Sequence, residues 1–240
     1  MKKETWNLGR SRGLEKAKLI IGDLKKEVAL LLKNKKKIRI LEVGCGYGRV
    51  LLELKKIFGN RIETYGTNKE PAWNIELIKK FGIAEKIFSK GDIKSKLPKF
   101  VIADADKGLP YPSNYFDLVF SQRVIQYISD KAKYLEELNR IVKKDGLIFT
   151  DIQDGSKKDK PIELQHRWEI WNKDKRVSIY QLLSKKKNIH LYKEKGNPQD
   201  KYIKMKKDPN FKMNIKLISK IDLHGINPDW WGTKSIYILK

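Results

Sequence analysis

The 240-residue chain is poor in cysteine and histidine, and each shortage excludes a chemistry. With Cys45 alone, no intrachain disulfide can form, and a reducing, cytoplasmic setting is the expectation. The three histidines, His166, His190 and His224, are too dispersed for metal-ligand spacing, so no metal is expected and each reads as structural or surface. No apolar run approaches the ~18 residues a membrane span needs. Lys16, Lys18, Asp23 and Lys25 interrupt the stretch after Lys2 and Lys3, so no secretory signal segment is expected. Acids are also few: 29 against 53 bases, a net charge of +24. Arginine supplies 9 of those 53 bases, and a lysine skew of that kind can be compositional. Its distribution is uneven, however. Residues 1–37 carry +8 and residues 153–212 carry +9, whereas residues 38–152 carry +5 over a longer stretch. Bases concentrated on two flanks point to an anionic partner, RNA above all, with a purely compositional origin as the alternative.

What is present is concentrated in Ile38-Arg-Ile-Leu-Glu-Val-Gly-Cys-Gly-Tyr-Gly-Arg49. An apolar strand runs into glycines at alternate positions, Gly44, Gly46 and Gly48, and a helix with Val50, Leu51, Leu54 and Ile57 on one stripe comes at once after them. Strand, glycine turn and helix build a nucleotide pocket at the carboxyl edge of a parallel sheet. A dinucleotide fingerprint would read G-x-G-x-x-G. Here Arg49 stands at the third glycine position, and Glu42 precedes the loop by two residues. A carboxylate there repels a pyrophosphate and suits an ammonium or a sulfonium.

The segment resembles motif I of the class I, Rossmann-like methyltransferases that depend on S-adenosylmethionine (SAM), with a type 11-like core. The resemblance covers roughly residues 38–152. It implies SAM as cofactor, with Glu42, Gly44, Cys45, Gly46 and Gly48 around it. In the family an acid at the end of the second strand takes the ribose hydroxyls; the matching residue here is Asn68, and Glu70 is a possible substitute. Asp104 and Ala105 match the motif that reads the adenine edge, and Asp106 reads as a solvated loop acid or cap. The stretch Leu109-Pro-Tyr-Pro112 followed by Phe116-Asp-Leu-Val119 is similar to the family's entry to the fourth strand, which places Ser121 beside the cofactor. Gln122, Arg123 and Gln126 then face the acceptor. No residue reads as a general base.

The expected fold is α/β: a doubly wound, mostly parallel seven-stranded sheet with helices on both faces, an N-terminal helical arm and a basic insertion after the fifth strand. Residues 14–34 read as one amphipathic helix within an arm spanning 1–37. The core spans 38–152, and its third strand, near Phe100–Ala103, reads as buried. Pro161–Trp171 reads as a helix, and residues 172–212 have no assignment beyond a basic insertion or lid over 153–212. Strands at Met213–Leu223 and Lys234–Leu239 are expected to complete the sheet. Between them, Trp230 and Trp231 read either as a stacking platform for a planar substrate or as an apolar plug. Trp6, Arg10 and Arg12 read either as an arm over the cofactor carboxylate or as a basic tail. An RNA methyltransferase is the leading expectation, followed by a small-molecule or lipid methyltransferase and by a silent binding subunit. Oligomeric state is not legible.

Overall fold

A computed structural model of the chain describes residues 12–154, 160–197 and 199–240. The first amphipathic stretch folds as two helices, α1 (Leu14–Ile20) and α2 (Leu24–Leu31). Gly22 breaks it with φ +91°, against the Tyr202 ring, and Asp23 caps α2 by accepting the Lys26 N–H at 3.0 Å. One apolar stripe thereby wraps around a corner, burying Ala17, Ile20, Leu24 and Val28.

The strands are β1 (Ile38–Val43), β2 (Ile62–Asn68), β3 (Lys99–Ile102), β4 (Phe116–Ser121), β5 (Val142–Ile152), β6 (Trp168–Asn172), β7 (Lys175–Val177), β8 (Ile189–Lys193), β9 (Lys201–Lys206), β10 (Ile215–Asp222) and β11 (Thr233–Leu239). The larger helices after α2 are α3 (Arg49–Phe58), α4 (Ile75–Ala84), α5 (Lys131–Ile141) and α6 (Ile179–Ser184). Seven strands form the main sheet in the order β3-β2-β1-β4-β5-β9-β8, parallel through β5 and antiparallel at β9. Alternation along each strand feeds two cores. Ile38, Ile40, Leu118 and Phe120 pack with α1 to α4, and Leu41, Val43, Phe116 and Val119 pack with α5 and α6 on the other face. The doubly wound α/β expectation therefore holds.

Four local expectations are corrected. The helix expected over 14–34 is the pair α1 and α2. The third strand is not buried: β3 is the sheet edge, and its residues are largely exposed. The segment expected as a helix at Pro161–Trp171 contains a short 3-10 turn, Ile162–Leu164, and then enters strand β6. The C-terminal strands do not complete the seven-stranded sheet. They join β6 and β7 in a second sheet, ordered β10-β11-β6-β7, and the lysine-rich insertion supplies β8 and β9 instead. In Lys201-Tyr-Ile-Lys-Met-Lys206 only Ile203 and Met205 are buried, and the lysines around them mask that alternation.

Lys131, fully buried at the start of α5, locks the second sheet to the first. Its ammonium donates to Ile128 O at 2.7 Å, Thr233 O at 2.8 Å and Ser235 Oγ at 2.7 Å. Burial pushes its pKa down to about 7, but three acceptors match the three donors of the charged form and one would go unfilled on a neutral amine. Among the described residues no helix is long and apolar enough to cross a membrane.

Candidate active site

The carboxyl edge of β1, β2 and β4 carries the glycine loop. Gly44, Gly46 and Gly48 have φ of +66°, +54° and +65°, a region that only glycine enters without strain. The loop is tied down by Cys45 N–H to Thr67 O at 2.9 Å and by Gly48 N–H to Cys45 O at 2.8 Å. Cys45 is buried, its thiol lies where a Cβ on Gly66 would sit, and burial with the nearby Glu42 charge raises its pKa. It is a packing residue of the loop.

Asn68 braces this loop. Its Oδ1 accepts the Gly46 N–H at 2.8 Å, and its Nδ2 donates to Gly46 O at 3.1 Å and Trp73 O at 2.8 Å. Both amide protons are engaged by backbone carbonyls, so the side chain holds the turn's shape, and its remaining capacity toward a diol is the second lone pair of Oδ1. Glu70, at the bend after β2, is exposed.

Glu42 and Gln122 meet across the ends of β1 and β4. Gln122 Nε2 donates to Glu42 Oε1 at 3.0 Å, while Glu42 Oε2 and Gln122 Oε1 are buried acceptors with no donor. Burial raises the Glu42 pKa to about 8, against the opposing effects of the Gln122 hydrogen bond and the Arg12 charge. Two orphan acceptors beside a glycine turn call for a ligand carrying positive charge or N–H donors.

The other expected residues sort by contact. Ser121 is fully buried and shares a hydrogen bond with Thr150 at 2.8 Å, so it belongs to the β4–β5 seam. Asp104 accepts the Asp106 N–H at 3.1 Å and pairs with Lys69 at 3.3 Å, and Ala105 packs partly buried beside the core. Asp106 holds the entry to α5 through the Ser129 N–H at 2.8 Å. Arg123 adopts φ +60°; its N–H donates to Asp151 Oδ1 at 2.8 Å and its guanidinium to Glu194 at 2.5 and 3.3 Å, with Asp200 at 3.7 Å. Gln126 donates to Arg123 O at 3.3 Å, and Gly232 approaches the Gln126 carbonyl so closely that a Cβ would overlap it.

That approach brings the tryptophan loop to the same edge and separates the two rings. Trp230 is buried against Leu164 and Leu223, under Lys160 Nζ at 5.2 Å. Trp231 is 49% exposed and stacks on His224, centroids 4.4 Å apart, while Tyr127 nearby is 48% exposed. Arg167 donates to Trp231 O at 2.7 Å. Arg12 acts electrostatically on Glu42, Asp151, Arg123 and Tyr127, which places the end of the arm over the edge; Trp6 and Arg10 lie outside the described residues.

Sequence reasoning missed Asp151, Asp154, Glu194 and Asp200, all buried near this edge. Burial raises Glu194 to about 8 and Asp154 to about 7. Acids directly after the apolar run of β5 were the available signal for the first two. Glu194 and Asp200 lie in lysine-rich sequence, and their partner, Arg123, comes from the turn after β4. Among the described residues no cluster of His, Cys, Asp and Glu is suited to a metal ion.

Residues 41–150 match the family model described as a methyltransferase domain. This segment is a methyltransferase domain. The chain is 34% identical over 108 residues to an ajmaline N-methyltransferase of Rauvolfia serpentina, covering 45% of this chain and 33% of that one. It is 30% identical over 143 residues to a malonyl-[acyl-carrier protein] O-methyltransferase of Legionella pneumophila (59% and 44%), and 31% identical over 107 residues to a mitochondrial arginine-hydroxylase of Rattus norvegicus (45% and 26%). The chain thus spans less than half the length of these curated relatives. A SAM-dependent methyltransferase of Aquifex aeolicus superposes with a TM-score of 0.48 at 18% identity, covering 79% of this chain and 91% of that one.

SAM is the cofactor of this domain family, and the residues present fit it. The orphan acceptors Glu42 Oε2 and Gln122 Oε1 suit its cationic methionine portion, and the braced glycine loop leaves room for close approach. When bound, SAM supplies an electrophilic methyl group on a positively charged sulfur.

Proposed function

We propose that this chain is a SAM-dependent methyltransferase whose acceptor enters where Tyr127 and Trp231 flank the ends of β4 and β5. The observation that carries this is the buried Glu42–Gln122 pair, with two acceptors lacking donors beside the glycine loop. In this reading Glu42, Gln122 and the loop Gly44–Gly48 hold the cofactor, Asn68 shapes the loop, Asp104 and Ala105 flank the adenine, and Ser121 supports the edge from behind. Alignment of acceptor and methyl group supplies much of the acceleration in such a transfer.

For the acceptor, the geometry favours a small polar molecule. The residues nearest the edge include Asp151, Glu194 and Asp200, which already engage the Arg123 guanidinium, so that cation is not open to a phosphate chain at the point of transfer. RNA is the second reading. It is favoured by the charge of +8 and +9 on the two flanks and by the half-exposed Trp231, whose free face suits an unstacked base. Transfer of labelled methyl from SAM into a total cell extract tests both. Label in the small-molecule fraction supports the first reading, and label released by RNase supports the second. SAM binding with no label in any fraction refutes methyl transfer.

A further inference from the structure

One cavity is lined by none of the residues assigned above to the cofactor. It measures about 510 Å³ and is walled by Asp154, His166, Arg176, Tyr180, Gln181 and Gln199, contributed by the end of β5, the approach to β6, β7, α6 and the approach to β9. It belongs to the same sheet edge as the glycine loop. Asp154 lies three residues beyond Asp151, which receives the Arg123 N–H, and Gln199 precedes Asp200, which faces the Arg123 guanidinium. A larger groove of about 610 Å³ lies against the far end of α3, away from the loop.

Within this cavity His166 is set up to receive a proton. Its Nδ1 lies 3.2 Å from the Asp154 carbonyl oxygen. A carbonyl only accepts, so Nδ1 carries the hydrogen and Nε2 carries the lone pair. The Asp154 carboxyl lies 3.8 Å from Nδ1, where its ionised form stabilises an imidazolium. Burial, then the Arg176 charge, with Lys234 in the same direction, lowers the His166 pKa against the opposing Asp154 carbonyl and Glu169, which keeps the ring neutral at neutral pH. Arg176 is fixed by donating to Trp168 O at 3.2 Å and lies 3.9 Å from Asp154 Oδ2, leaving a cationic group on the wall.

We propose that this cavity receives the methyl acceptor and that His166 Nε2 takes the proton from its hydroxyl or amine. The inference rests on the methyl-transfer reading above. For a hydroxyl acceptor the O–H bond breaks as the Nε2–H bond forms, and the O–H electron pair becomes the attacking pair; for an amine the nitrogen's own lone pair attacks, and Nε2 takes the proton from the resulting ammonium, whose N–H pair returns to nitrogen. The imidazolium then returns its proton to solvent. The acceptor class is a metabolite-sized molecule with a hydroxyl or amine and a carbonyl or carboxylate for Arg176, since a cavity of this size falls in the usual range for small-molecule sites.

The test uses the full chain with His166→Asn, whose side-chain amide still donates to the Asp154 carbonyl, and with His166→Ala. SAM affinity is measured by calorimetry, and methyl transfer is measured into the small-molecule fraction of a cell extract. Exposure of the unmodified protein to diethyl pyrocarbonate, read by mass spectrometry, reports whether Nε2 is neutral and accessible. The expected result is a loss of transfer of about 100-fold or more in both variants, with SAM affinity within about threefold of the unsubstituted chain. Added imidazole partly restores His166→Ala, and His166 is carbethoxylated. Transfer by His166→Asn at the unsubstituted rate, or an unreactive His166, overturns the base and leaves methyl transfer standing. Loss of SAM binding in both variants assigns His166 a structural role and overturns the proposal. SAM binding without transfer by the unsubstituted chain overturns both readings.

Discussion

Replacing Glu42 by Gln removes a charge that the free protein barely supports. The carboxylate is 2% exposed, receives one hydrogen bond and has a pKa near 8, so it is mostly protonated at pH 6.5. A cationic ligand binds the ionised form, and each pH unit below that pKa costs about 1.4 kcal/mol, or tenfold in affinity. The SAM dissociation constant of the unsubstituted chain is therefore expected to rise about tenfold per unit as pH falls from 8 to 6, with one proton released on binding. Glu42→Gln is expected to bind weakly at all these pH values, losing about 1.5–3 kcal/mol at pH 8.5 from the missing charged hydrogen bond. Stability takes the opposite course. The folded-state pKa lies above the ordinary value of 4.5, so the folded protein keeps a proton that the unfolded chain releases, and stability falls as pH rises from about 4.5 to about 8. Glu42→Gln escapes that loss, on the order of several kcal/mol, and is expected to gain on the unsubstituted chain across this window. Calorimetry in buffers of differing ionisation enthalpy counts the proton, and urea denaturation at several pH values measures the stability difference. SAM affinity that stays flat from pH 6 to 8.5 in the unsubstituted chain would refute the reasoning.

Asn68→Ala removes three hydrogen bonds that set the glycine loop and is expected to weaken SAM binding by about tenfold or more, measured by calorimetry. Lys131→Met leaves Ile128 O, Thr233 O and Ser235 Oγ without their donor, so a loss of about 3 kcal/mol in urea denaturation is expected, with faster amide exchange in β11 than in β1. Trp230→Ala opens the small core with Leu164 and Leu223 and is expected to cost about 3 kcal/mol. Trp231→Ala is expected to stay within about 0.5 kcal/mol in denaturation while raising the acceptor KM; equal stability losses for the two tryptophan variants would undo the division of roles between them.

Some of this was legible because it is local. The alternate glycines force a turn whatever surrounds them, and the apolar runs of β1, β4 and β5 with the stripes of α3 and α5 imply a parallel sheet covered on both faces. Glu42 was legible as the acid that precedes the loop. The role expected for Asn68 at the ribose was a matter of strand position alone, and its engagement with Gly46 and Trp73 came only with the folded loop. The helix expected over Pro161–Trp171 was overridden by a partner 65 residues or more downstream, since Trp168–Trp171 pair in parallel with Ser235–Ile238.

The glycine turn, the carboxylate before it and the doubly wound core follow from short stretches of chain, because backbone sterics and hydrophobic periodicity act over a few residues. Long-range folding sets which strands complete the main sheet, brings Gln122 to face Glu42, and gathers Asp151, Glu194 and Asp200 around Arg123. Strand pairing is a choice among distant partners of similar local propensity. A buried charge finds its partner only after that choice is made.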